Sequence, residues 1–308
     1  MRIAVTGANG FVGRELVGKA SAAGWEVTGI VRSEEGAAVV KAAGGRPVMT
    51  PLAGPDLVRA CAGAQAVVHL AQIGSEKRGQ TYEAVNVGGT RQVLEAARAA
   101  GVPRLVYFSG LGVAHYGQAP RCSNDYFLSK LSAELLLYSS DRQVVVFRPS
   151  YIVGPGDGLV RSLLGELAQG AVEWPGDGGY RLQPVAVSDA AAAVLAAATL
   201  PPSPIRRVRH RALDLVGPEA LGYRDFVARL ARAAAAQGRP AAYEVHTVPV
   251  EEADRQAAAG GYRGMLSDEL DCLLCDEVSD SGPLAALLGR PLAALDEALA
   301  LAVSGTVQ

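Results

Sequence analysis

Histidine and cysteine are scarce in this 308-residue chain, four of each, and aromatic side chains make up only 6% of it. Neither charge sign dominates. With 29 lysines and arginines against 31 aspartates and glutamates, the formal net charge of −2 gives no electrostatic reason to bind nucleic acid or an anionic membrane. Long hydrophobic runs are missing as well: the longest, Ala190 to Leu200, is Ala-rich and well short of the ~20 residues of a membrane span. Arg2 leads straight into a strand and a turn, so no secretory leader is expected. Cys272 and Cys275 form a C-x-x-C, but no second ligand pair or nearby histidine completes a metal site. They read as buried thiols on an amphipathic helix, no metal is expected, and a reducing, cytoplasmic compartment fits. Among the histidines, His69 falls in an apolar run and reads as a satisfied core residue, while His115 is a candidate for substrate contact.

What is present describes a soluble globular protein able to bury a full core, with 49% hydrophobic and 19% charged residues. Strand candidates at 3–6, 26–31, 47–50, 66–70, 104–109 and 143–148 alternate with helical stretches at 12–23, 34–43, 55–62, 80–100 and 125–139. Near-continuous apolar strands such as Ala66-Val67-Val68-His69-Leu70 fit a parallel sheet covered on both faces. The fold class is therefore α/β, a Rossmann-type doubly wound parallel sheet over residues 1–150 with its ligand at the C-terminal strand ends. After Arg148-Pro149 turns multiply and the alternation stops, which marks residues 151–308 as a smaller substrate-binding region. Within it, Ser188 or Asp189 can cap a helix near 188–200 that packs back on the first domain. Pro201-Pro202-Ser203-Pro204 reads as a surface linker and Arg206–Arg211 as a solvated strand edge. A strand near 211–215, a helix near 222–236 and an irregular helical tail complete the chain.

The first candidate strand runs into Thr6-Gly7-Ala8-Asn9-Gly10-Phe11-Val12-Gly13. A glycine-rich turn between a buried strand and a helix is the pattern that binds a dinucleotide. Gly7 serves the tight turn, Gly10 the close approach of a pyrophosphate, and Gly13 the close packing of helix on sheet. The free N–H groups and positive end of the helix then hold the phosphates. In the second half of the first domain, Tyr126 and Lys130 stand four apart at the start of a helix and point into the same space. An ammonium beside a phenol favours the phenolate, which would make Tyr126 a usable proton donor or acceptor.

In these segments the chain resembles the short-chain dehydrogenase/reductase superfamily, in its extended or atypical branch. The further matching pieces are Val67-Val68-His69-Leu70-Ala71, Asn86-Val87-Gly88-Gly89-Thr90, Leu105-Val106-Tyr107-Phe108-Ser109, Phe147 to Asp157, and Gln183 to Asp189. The spacing Gly-x-x-Gly-x-x-Gly belongs to the same branch. Within it the chain is most similar to NADPH-binding atypical members, including those akin to an accessory subunit of respiratory complex I. Leu287-Leu288-Gly289-Arg290-Pro291 is similar to the NmrA-like group.

The resemblance implies Tyr126 as the acid/base, with Lys130 binding the nicotinamide ribose and tuning it. Asn86 would sit behind the site and Ser109 would supply a hydroxyl. Asn9, Val12 and Leu52 join Gly7, Gly10, Phe11 and Gly13 as cofactor contacts, Leu70, Ala71 and Gln72 line the cofactor, and Pro149 and Ile152 flank the nicotinamide. Two departures stand out. The usual catalytic Ser or Thr two places beyond Ser109 is Leu111, which cannot polarise a carbonyl oxygen, so either another group such as Ser109 or Ser123 supplies that hydrogen bond or catalysis is reduced or absent. The acidic residue near the third strand's end is replaced by Pro51. At the end of the second strand Arg32 stands where NAD-preferring relatives carry an acid, so NADP(H) is the preferred cofactor and NAD(H) the alternative. The expected function is reduction of a carbonyl or related unsaturated carbon of a small organic molecule, by a monomer or homodimer without nucleic-acid or membrane partners. The alternatives are a non-catalytic NADPH-binding sensor or assembly subunit, and a nucleotide-sugar epimerase/dehydratase.

Overall fold

The computed structural model describes residues 1–77, 79–201 and 210–306. The first half alternates β1 (Arg2–Thr6), α1 (Phe11–Ala22), β2 (Glu26–Val31), α2 (Glu34–Ala42), β3 (Arg46–Met49), α3 (Gly54–Cys61), β4 (Ala66–His69), α4 (Gly89–Ala99), β5 (Arg104–Phe108), α5 (Asp125–Tyr138) and β6 (Gln143–Pro149). The second half adds β7 (Ile152–Val153), α6 (Gly158–Gln169), β8 (Ala171–Pro175), β9 (Arg181–Leu182), β10 (Val185–Ala186), α7 (Val187–Thr199) and β11 (His210–Leu215). It ends with β12 (Leu221–Gly222), α8 (Tyr223–Ala235), β13 (Glu244–Val248), α9 (Val250–Ala258), α10 (Ser267–Leu274), α11 (Gly282–Leu288) and α12 (Leu295–Ser304).

Seven strands form one parallel sheet in the order β11-β6-β5-β4-β1-β2-β3. Successive side chains of a strand point to opposite faces, and here both faces are dry. Ile3, Val5, Val68, Val106, Val145 and Phe147 join a core with Leu16 and Val17 of α1 and Ala190 and Val194 of α7. Their neighbours Ala4, Val67, Leu105, Tyr107, Val144 and Val146 join another with Leu57, Val93, Ala133 and Leu137 from α3, α4 and α5. That double burial is why the strands read as continuous apolar runs. The strand order reverses between β1 and β4, which places a crevice at their C-terminal ends.

Residues beyond 150 return to this layer twice. Helix α7 packs against α1, and β11 pairs with β6 from His210↔Val144 to Leu215↔Pro149 as the sheet's edge strand. Neither Ser188 nor Asp189 caps α7, which starts at Val187 after Ala186 with no side-chain cap bond. Buried Asp189 instead accepts from the guanidinium of Arg290 at 2.5 Å and from Ala293 N–H at 2.7 Å, so it ties down the tail. Of the expected linker and basic run, residues 202–209 lie outside the described residues, and His210 and Arg211 open the edge strand. A separate core, with Leu163, Leu167, Val172, Trp174, Phe226, Leu230, Leu299 and Val303, organises α6, α8, α12 and β8. The tail is less irregular than its sequence suggests, because β13 pairs in parallel with β8. Among the described residues, no helix is long and apolar enough to cross a membrane.

Candidate active site

The glycine turn has the geometry its spacing implies. Gly7 adopts φ +67°, and a Cβ there would stand 2.8 Å from Ala71 N, so the turn presses on the backbone that leaves β4. Gly10 N–H donates to Gly7 O at 3.0 Å and closes the turn. A Cβ on Gly13 would fall 2.2 Å from Gly7 O. Helix α1 starts at Phe11 beside Val12 with no side-chain cap and no acidic residue in its first turn, leaving its N–H groups for an anion. Asn9 packs toward the start of α2, where a Cβ on Gly36 would meet Asn9 Cγ at 3.2 Å. Arg32 is exposed just past β2, while Ser33 Oγ caps α2 by accepting from Gly36 N–H at 3.2 Å. Leu52 and Leu70 are packed against the cores on either face of the sheet. A cradle that any side chain would fill, opposite an uncapped helix, fits a dinucleotide's diphosphate.

Behind the turn runs a buried polar chain. Ala71 N–H donates to Thr6 Oγ1 at 3.3 Å, and Thr6 Oγ1 lies 2.7 Å from His69 Nδ1. On the other side His69 Nε2 is 3.1 Å from Thr90 Oγ1, which donates to Asn86 O at 2.6 Å. Thr90 has spent its proton, so Nε2 must carry the histidine proton and Nδ1 must accept from Thr6. His69 is thus the satisfied core residue its apolar setting suggests, and burial together with Lys130 pushes its pKa down to about 3. A folded pKa below the unfolded value gives stability that is complete above about 6.5 and lost as pH falls toward 3. The unfolding free energy measured by urea titration should therefore drop across that window by an amount on the order of a few kcal/mol, and His69→Gln should flatten the slope. An unchanged slope in the variant would remove His69 as its source.

Asn86 sits in a π-helical segment, Glu83–Gly88, that leads into α4 and breaks the single long helix expected over 80–100. The wider turn directs its amide to two elements at once. Asn86 Oδ1 accepts from Ile73 N–H at 2.9 Å, and Nδ2 donates to Ile73 O at 3.1 Å and to Ser129 Oγ at 3.0 Å. It therefore fixes the loop after β4 against α5.

Helix α5 is capped by Asn124, whose Oδ1 accepts from Phe127 N–H at 3.0 Å. The cap sets the phase that sends Tyr126 into a cavity of about 690 Å³. Ser109, Gln72, Phe11, Pro149 and Ile152 share its walls, so six of the expected site residues converge on one space next to the start of α1. The buried Oγ of Ser109 has no hydrogen-bond partner among the described residues, a vacancy that a ligand group would fill. Of the two hydroxyls proposed to stand in for Leu111, Ser109 faces the cavity. Ser123 does not: it is exposed, donates to Ala119 O at 2.8 Å and accepts from Gly117 N–H at 3.0 Å. Leu111 is buried at the head of a 3₁₀ segment, Leu111–His115. His115, at the end of that turn, is exposed and does not line the cavity.

Lys130 is fully buried under Tyr107, with Nζ 4.6 Å from that ring's centroid, donating to Phe108 O at 2.6 Å and to Gln72 Oε1. Burial lowers its pKa to about 7, opposed by Glu134. The expected lowering of Tyr126 is not what this geometry gives. Burial raises the phenol well above its ordinary value, helped by Cys272 and Glu277, while the ammonium is engaged by Gln72 and Phe108.

The cavity also takes in residues to which the sequence assigned no place in the site: Ser150, Leu182, Met265, Cys272, Cys275 and Glu277. Leu182 and Glu277 arrive through an isolated bridge between them, and Cys272 and Cys275 through the packing of α10. All four cysteines are free thiols. Cys275 is buried as expected, Cys272 is only half-buried and faces the cavity, and no metal-binding cluster occurs among the described residues.

Comparison with known proteins agrees with this architecture. The chain is 34% identical over 217 residues to a 2-alkyl-3-oxoalkanoate reductase of Stenotrophomonas maltophilia, covering 63% of this chain and 64% of that protein. It is 30% identical over 215 residues to a 4-hydroxy-2-methyl-3-oxo-4-farnesyl-3,4-dihydroquinoline-1-oxide ketoreductase of Stigmatella aurantiaca, covering 64% of each. A ceramide reductase of Caulobacter vibrioides matches at 33% over 156 residues, half of this chain and 47% of that one. The chain thus spans about half to two-thirds of the length of these curated relatives. Among solved structures, MoeE5 in complex with UDP-glucuronic acid and NAD superposes with a TM-score of 0.74 at 23% identity, covering 99% of this chain and 98% of that one. The UDP-glucuronic acid 4-epimerase of Bacillus cereus does so with 0.74 at 19%, with the same coverage. Residues 3–206 match the model of the NAD dependent epimerase/dehydratase family, and the chain belongs to that family, within the extended short-chain dehydrogenases/reductases, whose cofactor is a nicotinamide dinucleotide.

Proposed function

We propose that this protein is an NADP(H)-dependent reductase that converts a carbonyl, or a related unsaturated carbon, of a small organic molecule. The observation that carries the reading is the convergence of the Tyr126 phenol and the unpartnered Ser109 hydroxyl on one cavity beside the amino end of α1. The Gly7–Gly13 turn and α1 would hold the diphosphate, Lys130 and Gln72 the nicotinamide ribose, and Pro149 and Ile152 the ring. When bound, the nicotinamide supplies the hydride. Ser109 Oγ would orient the substrate oxygen, and Tyr126 would give it a proton. Because burial keeps that phenol protonated, it is loaded for reduction. The walls include the apolar side chains of Phe127, Leu159, Leu182, Met265 and Leu273, which suit a largely apolar substrate.

Epimerase chemistry uses the same tyrosine but needs cations for a nucleotide diphosphate. The cavity offers Arg181 and Arg263, and Arg263 is committed to Glu166 and to the carbonyl of Glu173. That shortage favours the reductase. The non-catalytic reading draws on Leu111 and on the likeness to an accessory subunit of complex I, and the Ser109 hydroxyl in the cavity speaks for catalysis. Incubation with NADPH and a panel of ketones, quinones and enones should show turnover by loss of reduced-cofactor absorbance. Binding of NADPH without turnover across the panel would favour the sensor instead.

The preference for NADP(H) rests on Arg32, exposed past β2 and without an ion partner among the described residues, at a position where a ribose-binding acid is absent. Arg32→Ser should weaken NADPH binding about tenfold and leave NADH within about twofold. Equal losses for both cofactors would assign Arg32 to general electrostatics.

A further inference from the structure

Helix α10 supplies Glu269, Cys272 and Leu273 to the cavity wall, with Met265 before it and Cys275 at its end. That wall belongs to a small satellite of the fold, whose buried core is Ala253, Ala257, Tyr262 and Leu270. A cluster of this size gives α10 little hold of its own on the first domain, from which Tyr126 comes. The polar link between them is Arg121, in the 3₁₀ segment Pro120–Cys122 that leads toward α5. Its guanidinium grips Asp254 of α9 with both ends, Nη1 donating to Oδ1 at 2.6 Å and Nη2 to Oδ2 at 2.8 Å. Nη1 also donates to Oδ1 of Asp271 on α10 at 2.7 Å. Asp271 Oδ2 accepts in turn from Asn124 Nδ2 at 3.3 Å, and Asn124 Oδ1 is the cap that receives Phe127 N–H. An unbroken path thus runs from α9 through Arg121 and α10 to the first turn of the helix that carries Tyr126. Among the described residues, Arg121 makes the only ion pairs that join α9 or α10 to residues 1–150. Exposed ion pairs contribute little, but the side chains of Arg121 and Asp271 are only 30% and 19% exposed, and the fork on Asp254 is bidentate. Without the guanidinium, two carboxylates that now share one nitrogen would face each other uncompensated.

Resting on the reductase reading, we propose that Arg121 is a positioning residue: it sets the α10 wall against the Tyr126 helix and so fixes how tightly the cavity closes on its substrate. Arg121 does not line the cavity and acts only through Asp254, Asp271 and Asn124. The Gly7–Gly13 turn and α1 take no part in this network, so the hold on the dinucleotide is independent of it.

Arg121→Met keeps the apolar stem and removes the fork. With NADPH and the apolar enone benzylideneacetone, KM should rise at least about tenfold, kcat should fall by no more than about threefold, and NADPH affinity should stay within about twofold. Arg121→Lys keeps the charge but cannot grip two carboxylates, and should leave KM raised about threefold. A purely structural role gives the opposite split, with fewer active molecules and hence lower kcat and NADPH stoichiometry at unchanged KM, and that result overturns the proposal. A second readout needs no turnover. Cys272 faces the cavity while Cys61 is buried in the first domain, so N-ethylmaleimide labelling of the full-length protein, resolved by peptide mass spectrometry, compares the two thiols. In Arg121→Met, Cys272 should label at least about fivefold faster with Cys61 unchanged. If the unaltered protein does not turn over the enone but Cys272 still responds, the loss falls on the reductase reading alone. Should Arg121→Met fail to fold, Asp254→Asn weakens only the outer pair and should give about threefold in either readout. An unchanged Cys272 rate, or an unchanged KM where the enone is turned over, overturns the proposal.

Discussion

Tyr126→Phe should lower kcat by at least about 100-fold while changing NADPH affinity by no more than about threefold. The substitution removes one hydroxyl and keeps the ring, whose contacts with Tyr82 (centroids 5.9 Å apart) and Phe127 (5.2 Å) hold α5 in place. Stability should therefore barely move, and a separate unfolding measurement tells loss of chemistry from loss of fold. The alkaline limb of kcat should also be informative. Burial holds the phenol protonated well beyond its ordinary range in the dinucleotide-free protein. A reductive rate limited by Tyr126 as donor should then stay flat through neutral pH, unless Lys130, whose pKa is near 7, is the group that titrates. Lys130→Met separates these cases: it should remove a limb near 7 and leave the Tyr126→Phe defect intact. Retention of full turnover in Tyr126→Phe would eliminate the phenol as proton donor and leave Ser109 as the only hydroxyl of the expected set in the cavity.

The sheet and the cofactor turn were legible because their signals are local. Strands buried on both faces must be apolar at every position, as Ile3-Ala4-Val5 and Val144-Val145-Val146 are, and a left-handed Gly7 pressed on Ala71 leaves glycine as the only residue that fits. Tyr126 and Lys130 share a helix face, so their pairing was visible, but their electrostatics were not. The phenol's environment is set by Cys272 and Glu277, about half the chain away, and Lys130 turns to Phe108 O and Gln72 instead of to Tyr126. The π-helical segment at Asn86 was hidden for another reason: a single wide turn inside a helix carries no residue signature of its own. Strand β13 exposes most of its side chains, so no burial periodicity marks it, and only its pairing with β8 reveals it. Glu277 lacked any signal because its neighbours in sequence are not its neighbours in the cavity.

Gly13→Ala tests the cradle itself and should be nearly as damaging as loss of the tyrosine. Its φ is not in the left-handed region, so the cost is purely one of space: the new Cβ would lie 2.2 Å from Gly7 O and 2.9 Å from Ala8 C and Cα. All three are backbone atoms of the turn and cannot rotate away. Either α1 moves off the sheet, disturbing Leu16 and Val17 against Ile3 and Val5, or the turn opens and its N–H groups lose their aim. Overpacking of this kind costs about 1–3 kcal/mol in stability, and NADPH affinity should fall at least about 30-fold. Gly10→Ala is the informative control. Its Cβ would meet only Gly7 O, at 3.2 Å, on the exposed side of the turn, so the fold should tolerate it. Binding should still weaken if the diphosphate approaches the Gly10 backbone. Equal NADPH binding by Gly13→Ala and the unaltered protein would place the dinucleotide away from α1. Weak binding by Gly10→Ala at full stability would place the phosphates against that glycine.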